Sequence, residues 1–135
     1  MNSQMDLCRI CDSALSGAFS STFLLGREVS YYNCLHCGYV QTEFPFWLNE
    51  AYCNPINSSD TGVLARNISN VSLVLAALTL IGNRSGRVVD YAGGYGLLVR
   101  LLRDRGVTAQ WLDRYSENLV AKGFEYEGGC AELVT

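Results

Sequence analysis

The sequence predicts a mixed α/β chain in which a small metal-organised hairpin module precedes a β-α-β unit, and three observations carry that prediction. Two Cys-x-x-Cys pairs, Cys8/Cys11 and Cys34/Cys37, stand 22 residues apart. An apolar stripe stepping by four and three, Leu64, Ile68, Val71, Leu75 and Leu78, marks a helix over 61–81. After Gly86 the pattern runs strand, glycine loop, helix, strand. With 135 residues, 49% of them apolar and 17% charged, the chain has material for one modest core, and disorder is excluded.

The elements follow in order. Residues 1–42 hold the cysteine pairs and two β-prone pieces, 19–25 and 29–32, with turn residues at Ser16-Gly17 and Gly26. Residues 43–86 form a connector and the amphipathic helix. The connector is rich in aromatics and contains Pro45 and Pro55; Ser59 or Asp60 is the expected N-cap and Gly82-Asn83 the stop. Residues 87–135 supply a buried-type strand at 87–91, the loop Ala92-Gly93-Gly94-Tyr95-Gly96, a helix at 97–105 capped by Gly106, and a strand at 107–112. A helix at 115–122 and the opening of another strand at 132–135 complete the reading.

Paired knuckles at this spacing are the pattern of a zinc ribbon, each Cys-x-x-Cys turn presenting two thiolates to one ion. Cys8, Cys11, Cys34 and Cys37 are therefore the expected ligands of a structural Zn²⁺, with Gly38 in the second knuckle turn. Redox chemistry and inert thiols are the weaker readings. His36 is expected to be solvated or hydrogen-bonded, and Cys53 and Cys130 to be buried small hydrophobes.

Charge excludes one class of partner. Residues 1–53 carry Arg9 and Arg27 against Asp6, Asp12, Glu28, Glu43 and Glu50, while 54–135 are balanced, so the overall −3 lies in the first part. A phosphate-binding surface concentrates the opposite sign, and nucleic acid is not an expected partner. The longest apolar run, 71–81, falls short of a membrane span and no membrane partner is expected. The first residues lack the basic and apolar regions of a secretory signal, which points to the cytoplasm and to reduced thiols; the Asn-x-Ser triplets at Asn57, Asn67, Asn70 and Asn83 are then chance.

The glycine loop follows a strand and opens a helix, the setting in which a ligand approaches bare backbone. A dinucleotide Gly-x-Gly-x-x-Gly would need glycine where Val99 stands, so a nicotinamide cofactor is disfavoured. Asp90 ends the first strand and Asp113 the second, 23 residues later, where a carboxylate can accept ribose hydroxyls.

The segment VVDYAGGYG followed by WLDRY resembles the first motif and second-strand acid of class I S-adenosylmethionine-dependent methyltransferases, whose usual form is D/E-x-G-x-G-x-G. Asp90, Gly94 and Gly96 match, and Ala92 replaces the first glycine. The resemblance implies a Rossmann-like methyltransferase fold. It places Asp90, Ala92, Gly93, Gly94 and Gly96 against the cofactor and Asp113 on its ribose. With the four-cysteine module in front, the chain is similar to zinc-binding-domain methyltransferases that modify sugars and glycans, which implies a small-molecule or glycan-precursor acceptor. Such a domain is longer, so the expectation is the N-terminal part of an enzyme, inactive by itself. The alternative is a zinc-ribbon interaction module with a vestigial nucleotide fold. Tyr52, Asp60, Thr61, Arg66 and Asn67 are the connector's polar groups, read first as capping and solvation and second as a lid over the cofactor.

Overall fold

A computed structural model describes residues 7–23 and 26–135. They form a mixed α/β chain of two compact units, which divide between Ala51 and Tyr52.

The first unit is an antiparallel sheet of β1 (Leu15–Phe23), β2 (Arg27–Cys34) and β3 (Val40–Thr42), in that spatial order. Gly17 does not make a turn. It lies inside β1, at φ +60°, where the register jumps between Ser16 and Ala18, so the residue with no Cβ absorbs a bulge. The strand begins earlier than its β-prone centre because pairing with β2 extends it to Leu15, opposite Cys34. Leu24 and Leu25 of the expected strand lie outside the described residues. β3, only three residues long, carries no periodic signal; it exists because Tyr31, Tyr32 and Asn33 pair with it. A short helix, α1 (Leu48–Tyr52), follows where the sequence reads as connector.

The second unit holds α2 (Val63–Leu80), β4 (Arg87–Tyr91), α3 (Leu97–Arg103), β5 (Thr108–Leu112) and β6 (Leu133–Val134). β4 is central, pairing in parallel with β5 on one side and β6 on the other. Beyond β5, Trp111 bridges in parallel to Glu125, its N–H donating to the Phe124 carbonyl and its own carbonyl accepting from Tyr126. The parallel order is therefore 124–126, β5, β4, β6.

The core of this unit joins Val71, Val74 and Leu78 of α2, Leu98, Val99 and Leu102 of α3, Val88 of β4, and Val107, Ala109 and Ala121. Both helices stop as the sequence predicts. Gly82 at φ +74° donates to Thr79 while Asn83 donates to Leu78, and Gly106 at φ +80° donates to Arg103 while Val107 donates to Leu102. These are two Schellman endings, each requiring a left-handed residue that glycine supplies without steric cost.

Three expectations are corrected. The N-cap of α2 is Gly62 with no side-chain cap, because the Asp60 carboxylate is taken by Arg66 at 2.7 Å. Leu64 and Ile68, the first two members of the apolar stripe, are exposed; the stripe meets the core only from Val71 onward. Residues 115–122 form no helix. The amides that would start one are committed elsewhere: Tyr115 and Ser116 donate to the Asp113 side chain, and Leu119 and Val120 both donate to the Tyr95 carbonyl. Among the described residues α2 is also the one helix long and apolar enough by length and composition to cross a membrane, while its Val71, Val74 and Leu78 are buried in the core.

Candidate metal centre and glycine-loop site

The four paired cysteines converge. Their sulfur atoms all lie within 4.8 Å of one another, with Cys8 Sγ to Cys37 Sγ and Cys11 Sγ to Cys34 Sγ each 3.6 Å. Tetrahedral Zn–S bonds of about 2.3 Å place sulfurs about 3.8 Å apart, so the quartet has the dimensions of a closed thiolate site. These cysteines could hold a metal such as zinc.

Two equivalent turns build the quartet. Cys8 N–H donates to the Ser13 carbonyl and Asp12 N–H to Cys8; Cys34 N–H donates to the Tyr39 carbonyl and Gly38 N–H to Cys34. The residue after each second cysteine is left-handed, Asp12 at φ 55° and Gly38 at φ 75°. Sequence reasoning singles out Gly38 and misses Asp12, although Asp is among the few side chains that tolerate this region. Backbone amides also face sulfur, Ile10 N–H lying 3.4 Å from Cys8 Sγ.

The thiols are electrostatically unequal. The Ser13 hydroxyl and then its amide pull Cys11 down to about 5, while His36 adds a further hydrogen bond. For Cys37 the Tyr39 amide lowers the pKa, but desolvation and the sulfurs of Cys11, Cys8 and Cys34 outweigh it and push it up to about 12. Packing four thiols together thus opposes ionising all of them, and a divalent cation removes that opposition. His36 is exposed and serves as a hydrogen-bond partner of Cys11 outside the quartet. Cys53 and Cys130, expected inside, are exposed, since neither falls on an element that faces the core.

Gln41 is the residue of this unit that the sequence conceals. Only 5% exposed, it accepts from Arg9 N–H at 2.9 Å and donates to the Leu7 carbonyl at 3.2 Å, clamping β3 to the first knuckle. Arg9 then reaches over β3 to the Thr42 carbonyl. An isolated glutamine in a three-residue strand gives no advance signal.

In the second unit the predicted residues gather at the carboxyl ends of β4 and β5. Asp90 is 7% exposed at the end of β4 and accepts from the Thr135 hydroxyl at 3.2 Å. Burial pushes its carboxyl up to about 6, the Thr135 hydrogen bond opposing and the Asp113 charge adding. Asp113 is organised differently. One oxygen accepts from Gly94 N–H at 2.9 Å and the other from Tyr115 and Ser116 N–H at 2.8 and 2.9 Å. Burial raises this carboxyl too, but the amides of Ser116, Tyr115 and Gly94 prevail and hold it below the usual range.

The loop is held from both sides of Gly94, whose carbonyl accepts from Trp111 Nε1 at 2.8 Å. A Cβ on Gly93 would lie 2.8 Å from Trp111 Cδ1, and one on Gly96 would lie 2.8 Å from Ala121 Cβ. Ala92, standing where the resemblance puts a glycine, has φ 61°. Its side chain therefore occupies a conformation that glycine would adopt without strain.

Two clefts flank the loop and share Ala92. One, of about 260 Å³, is lined by Asp60, Arg66, Asn67 and Asp90 together with Ala92 to Gly94. The other, of about 400 Å³, lies among Tyr91, Ala92, Leu112, Asp113, Arg114 and Tyr115. Of the connector's polar groups, Asp60, Arg66 and Asn67 thus line the cleft beside the loop; Tyr52 instead stacks on Tyr115 at 5.6 Å. No protein-family model matches the chain, and no curated protein or solved structure matches it either.

Proposed function

We propose that this chain carries a structural zinc ribbon on residues 7–42 and the cofactor-binding half of an S-adenosylmethionine-dependent methyltransferase on its second unit. The observation that carries the reading is the meeting of Asp90, the left-handed glycine loop and Asp113 at the carboxyl ends of two adjacent parallel strands, with a cleft on each side. Strand order supports it. The succession 124–126, β5, β4, β6 has the 3-2-1-4 order of a doubly wound nucleotide fold, whose ligands bind outside the carboxyl ends where the order reverses. Here that reversal falls between β4 and β6, beside Asp90.

In this reading Cys8, Cys11, Cys34 and Cys37 hold the zinc, which closes its coordination and supplies folding energy in place of Lewis acidity. The bound cofactor supplies an electrophilic methyl group. The chain's own residues orient it: Asp113 fixes Gly94 and offers its remaining lone pair on Oδ2 to a ribose hydroxyl, and the loop lets the ligand approach backbone. The apolar cleft with Tyr91 and Tyr115 suits a flat base, and the polar cleft with Arg66 the amino-acid end. The acceptor implied is a sugar or glycan precursor.

Calorimetric titration with S-adenosylmethionine tests the reading. Binding is expected, with Asp113→Ala weakening it by about 1 to 3 kcal/mol through lost charge-assisted hydrogen bonds. Unchanged affinity in that variant removes Asp113 from the site, and no binding by the parent chain removes the cofactor. A second reading, an interaction module, draws on Ile10 and Leu35, exposed by 66% and 76% at the two knuckle tips. It predicts zinc binding without adenosyl-ligand binding.

A further inference from the structure

α2 buries one side and leaves the other open, and the open side lacks the charges of an ordinary protein surface. Val71, Val74 and Leu78 join the core, whereas Leu64, Ile68, Leu73 and Leu80 are exposed by 61, 58, 67 and 88%. At about 100° of rotation per residue, Leu73, Ala76 and Leu80 lie on the side turned away from Val71, Val74 and Leu78. A sheet continued beside β6 would run beneath the buried side, so the outward side stays open in either case.

Surface helices normally set charged residues opposite their apolar stripe. Within α2 the one charged residue is Arg66, and Asp60 pairs with it at 2.7 Å. The outward side is therefore neutral. Its hydroxyls are also provided for, since Ser72 donates to the Ile68 carbonyl at 3.5 Å and Thr79 to the Leu75 carbonyl at 2.7 Å. Removing water from this side strands neither donor, which lowers the cost of covering it.

Size and relief suit another helix. The four exposed aliphatic residues present about 500 Å² of apolar surface, near the top of what a monomer leaves in one patch. That is well over half of the ~800 Å² each partner gives to an ordinary stable interface, and the exposed Ala65, Ser69, Ser72 and Ala76 add to it. Ile68, Ser72, Ala76 and Leu80 follow in steps of four and form one ridge. Its small middle lets a second backbone come close, and its large ends supply the buried area.

We infer that the outward side of α2 is the surface through which two copies of this chain associate, helix on helix across a two-fold axis. A two-fold contact sets a surface against itself, which requires that no like charges meet, and a neutral apolar face meets that requirement. A lipid surface fits less well: helices that lie on bilayers flank their apolar side with Lys and Arg, and the single Arg66 is already paired. Neither the metal nor the cofactor reading is needed for this association.

Sedimentation equilibrium of the whole chain tests it. The parent is expected to run at twice the chain's mass at micromolar concentration. Ala76→Glu, which brings two like charges together at the centre of the contact, should raise the dissociation constant about a hundredfold or more while the helical circular dichroism is kept. Leu80→Lys places a cation where the helix dipole accepts one, so it keeps the helix intact if the first variant disturbs it, and should dissociate the pair as well. Leu35→Glu, at a knuckle tip, should leave the mass unchanged. A parent that stays monomeric overturns the inference, as does a dimer that survives both α2 variants or that Leu35→Glu takes apart. A monomeric parent that floats with phosphatidylcholine vesicles, and ceases to in Leu80→Lys, would assign the same face to lipid instead of to a second copy.

Discussion

The two units reach order by different means. Among the described residues between 7 and 51 the buried hydrophobic residues are Cys8, Val29, Cys34 and Trp47, two of them members of the sulfur quartet, and a buried glutamine ties the first knuckle to β3. Between 52 and 135 ten buried residues form one contiguous cluster from two helices, two parallel strands and the segment after them. A few apolar side chains do little to offset the entropy of ordering some forty residues, so a metal held by the sulfur quartet would matter most to the first unit, whereas the second has a core of its own.

If the quartet holds zinc as proposed, the largest effect that can break this contrast is removal of that metal. Cys34→Ser, or a strong chelator, is expected to abolish zinc binding and unfold residues 7–51, since structural zinc supplies roughly 10 to 16 kcal/mol in small domains, and to leave 52–135 folded. Metal content and hydrogen exchange of the Val88 and Val89 amides check both halves of the statement. Zinc content unchanged in Cys34→Ser would end the ribbon assignment, and loss of protection in β4 would end the independence of the units. The mirror-image experiment is Leu102→Ala. Leu102 is fully buried, so its truncation should cost roughly 2 to 5 kcal/mol in the second unit and leave the metal content of the chain unchanged.

What the sequence made legible follows the same division. Knuckle spacing located the quartet, and the run from β4 through α3 to β5 was readable because strand, glycine loop and capped helix each have a local signature. What escaped depends on partners distant in sequence. Gln41 matters through Leu7 and Arg9, more than thirty residues away, and β3 through β2. The segment 115–122 has helical composition, but Asp113 and the Tyr95 carbonyl claim its amides, an outcome no window over the segment contains. Leu64 and Ile68 keep the helical period and are nonetheless exposed, because periodicity identifies a face without saying how far the core extends beneath it.

The acids at the ends of β4 and β5 sharpen the comparison through pH. Asp90, pushed up to about 6 by burial, binds its proton more tightly folded than unfolded. Its contribution is fully present below about pH 4 and is lost as pH rises to about 6. Asp113, held low by three amides, works in the opposite sense, contributing above its ordinary pKa and losing that contribution as pH falls. Asp90→Asn should therefore stabilise the second unit by up to about 2 to 3 kcal/mol at pH 7 and hardly at all at pH 4. Urea unfolding at the two pH values measures the difference; an equal effect at both would deny the buried carboxylate its shift.

The smallest expected effects compare one backbone feature in both units. Ala92 and Asp12 are the non-glycine residues with positive φ among those described. Ala92→Gly should stabilise the second unit by about 1 kcal/mol, and Asp12→Gly the first by less, since aspartate tolerates this region better than alanine. Denaturation midpoints read out both, and the reverse ranking would show that Ala92 makes contacts worth more than its strain.

Trp111 has a further consequence as an observable. The chain has two tryptophans, and the structure puts Trp47 in the first unit and Trp111 in the second, the latter hydrogen-bonded to the carbonyl of Gly94. Each unit thus carries its own intrinsic fluorophore. With Trp47 replaced by phenylalanine, the remaining emission reports on the glycine loop through the indole that holds it; with Trp111 replaced, it reports on the first unit, in which Trp47 is buried. A titration monitored at one wavelength can then assign a ligand to a unit without any label attached to the protein.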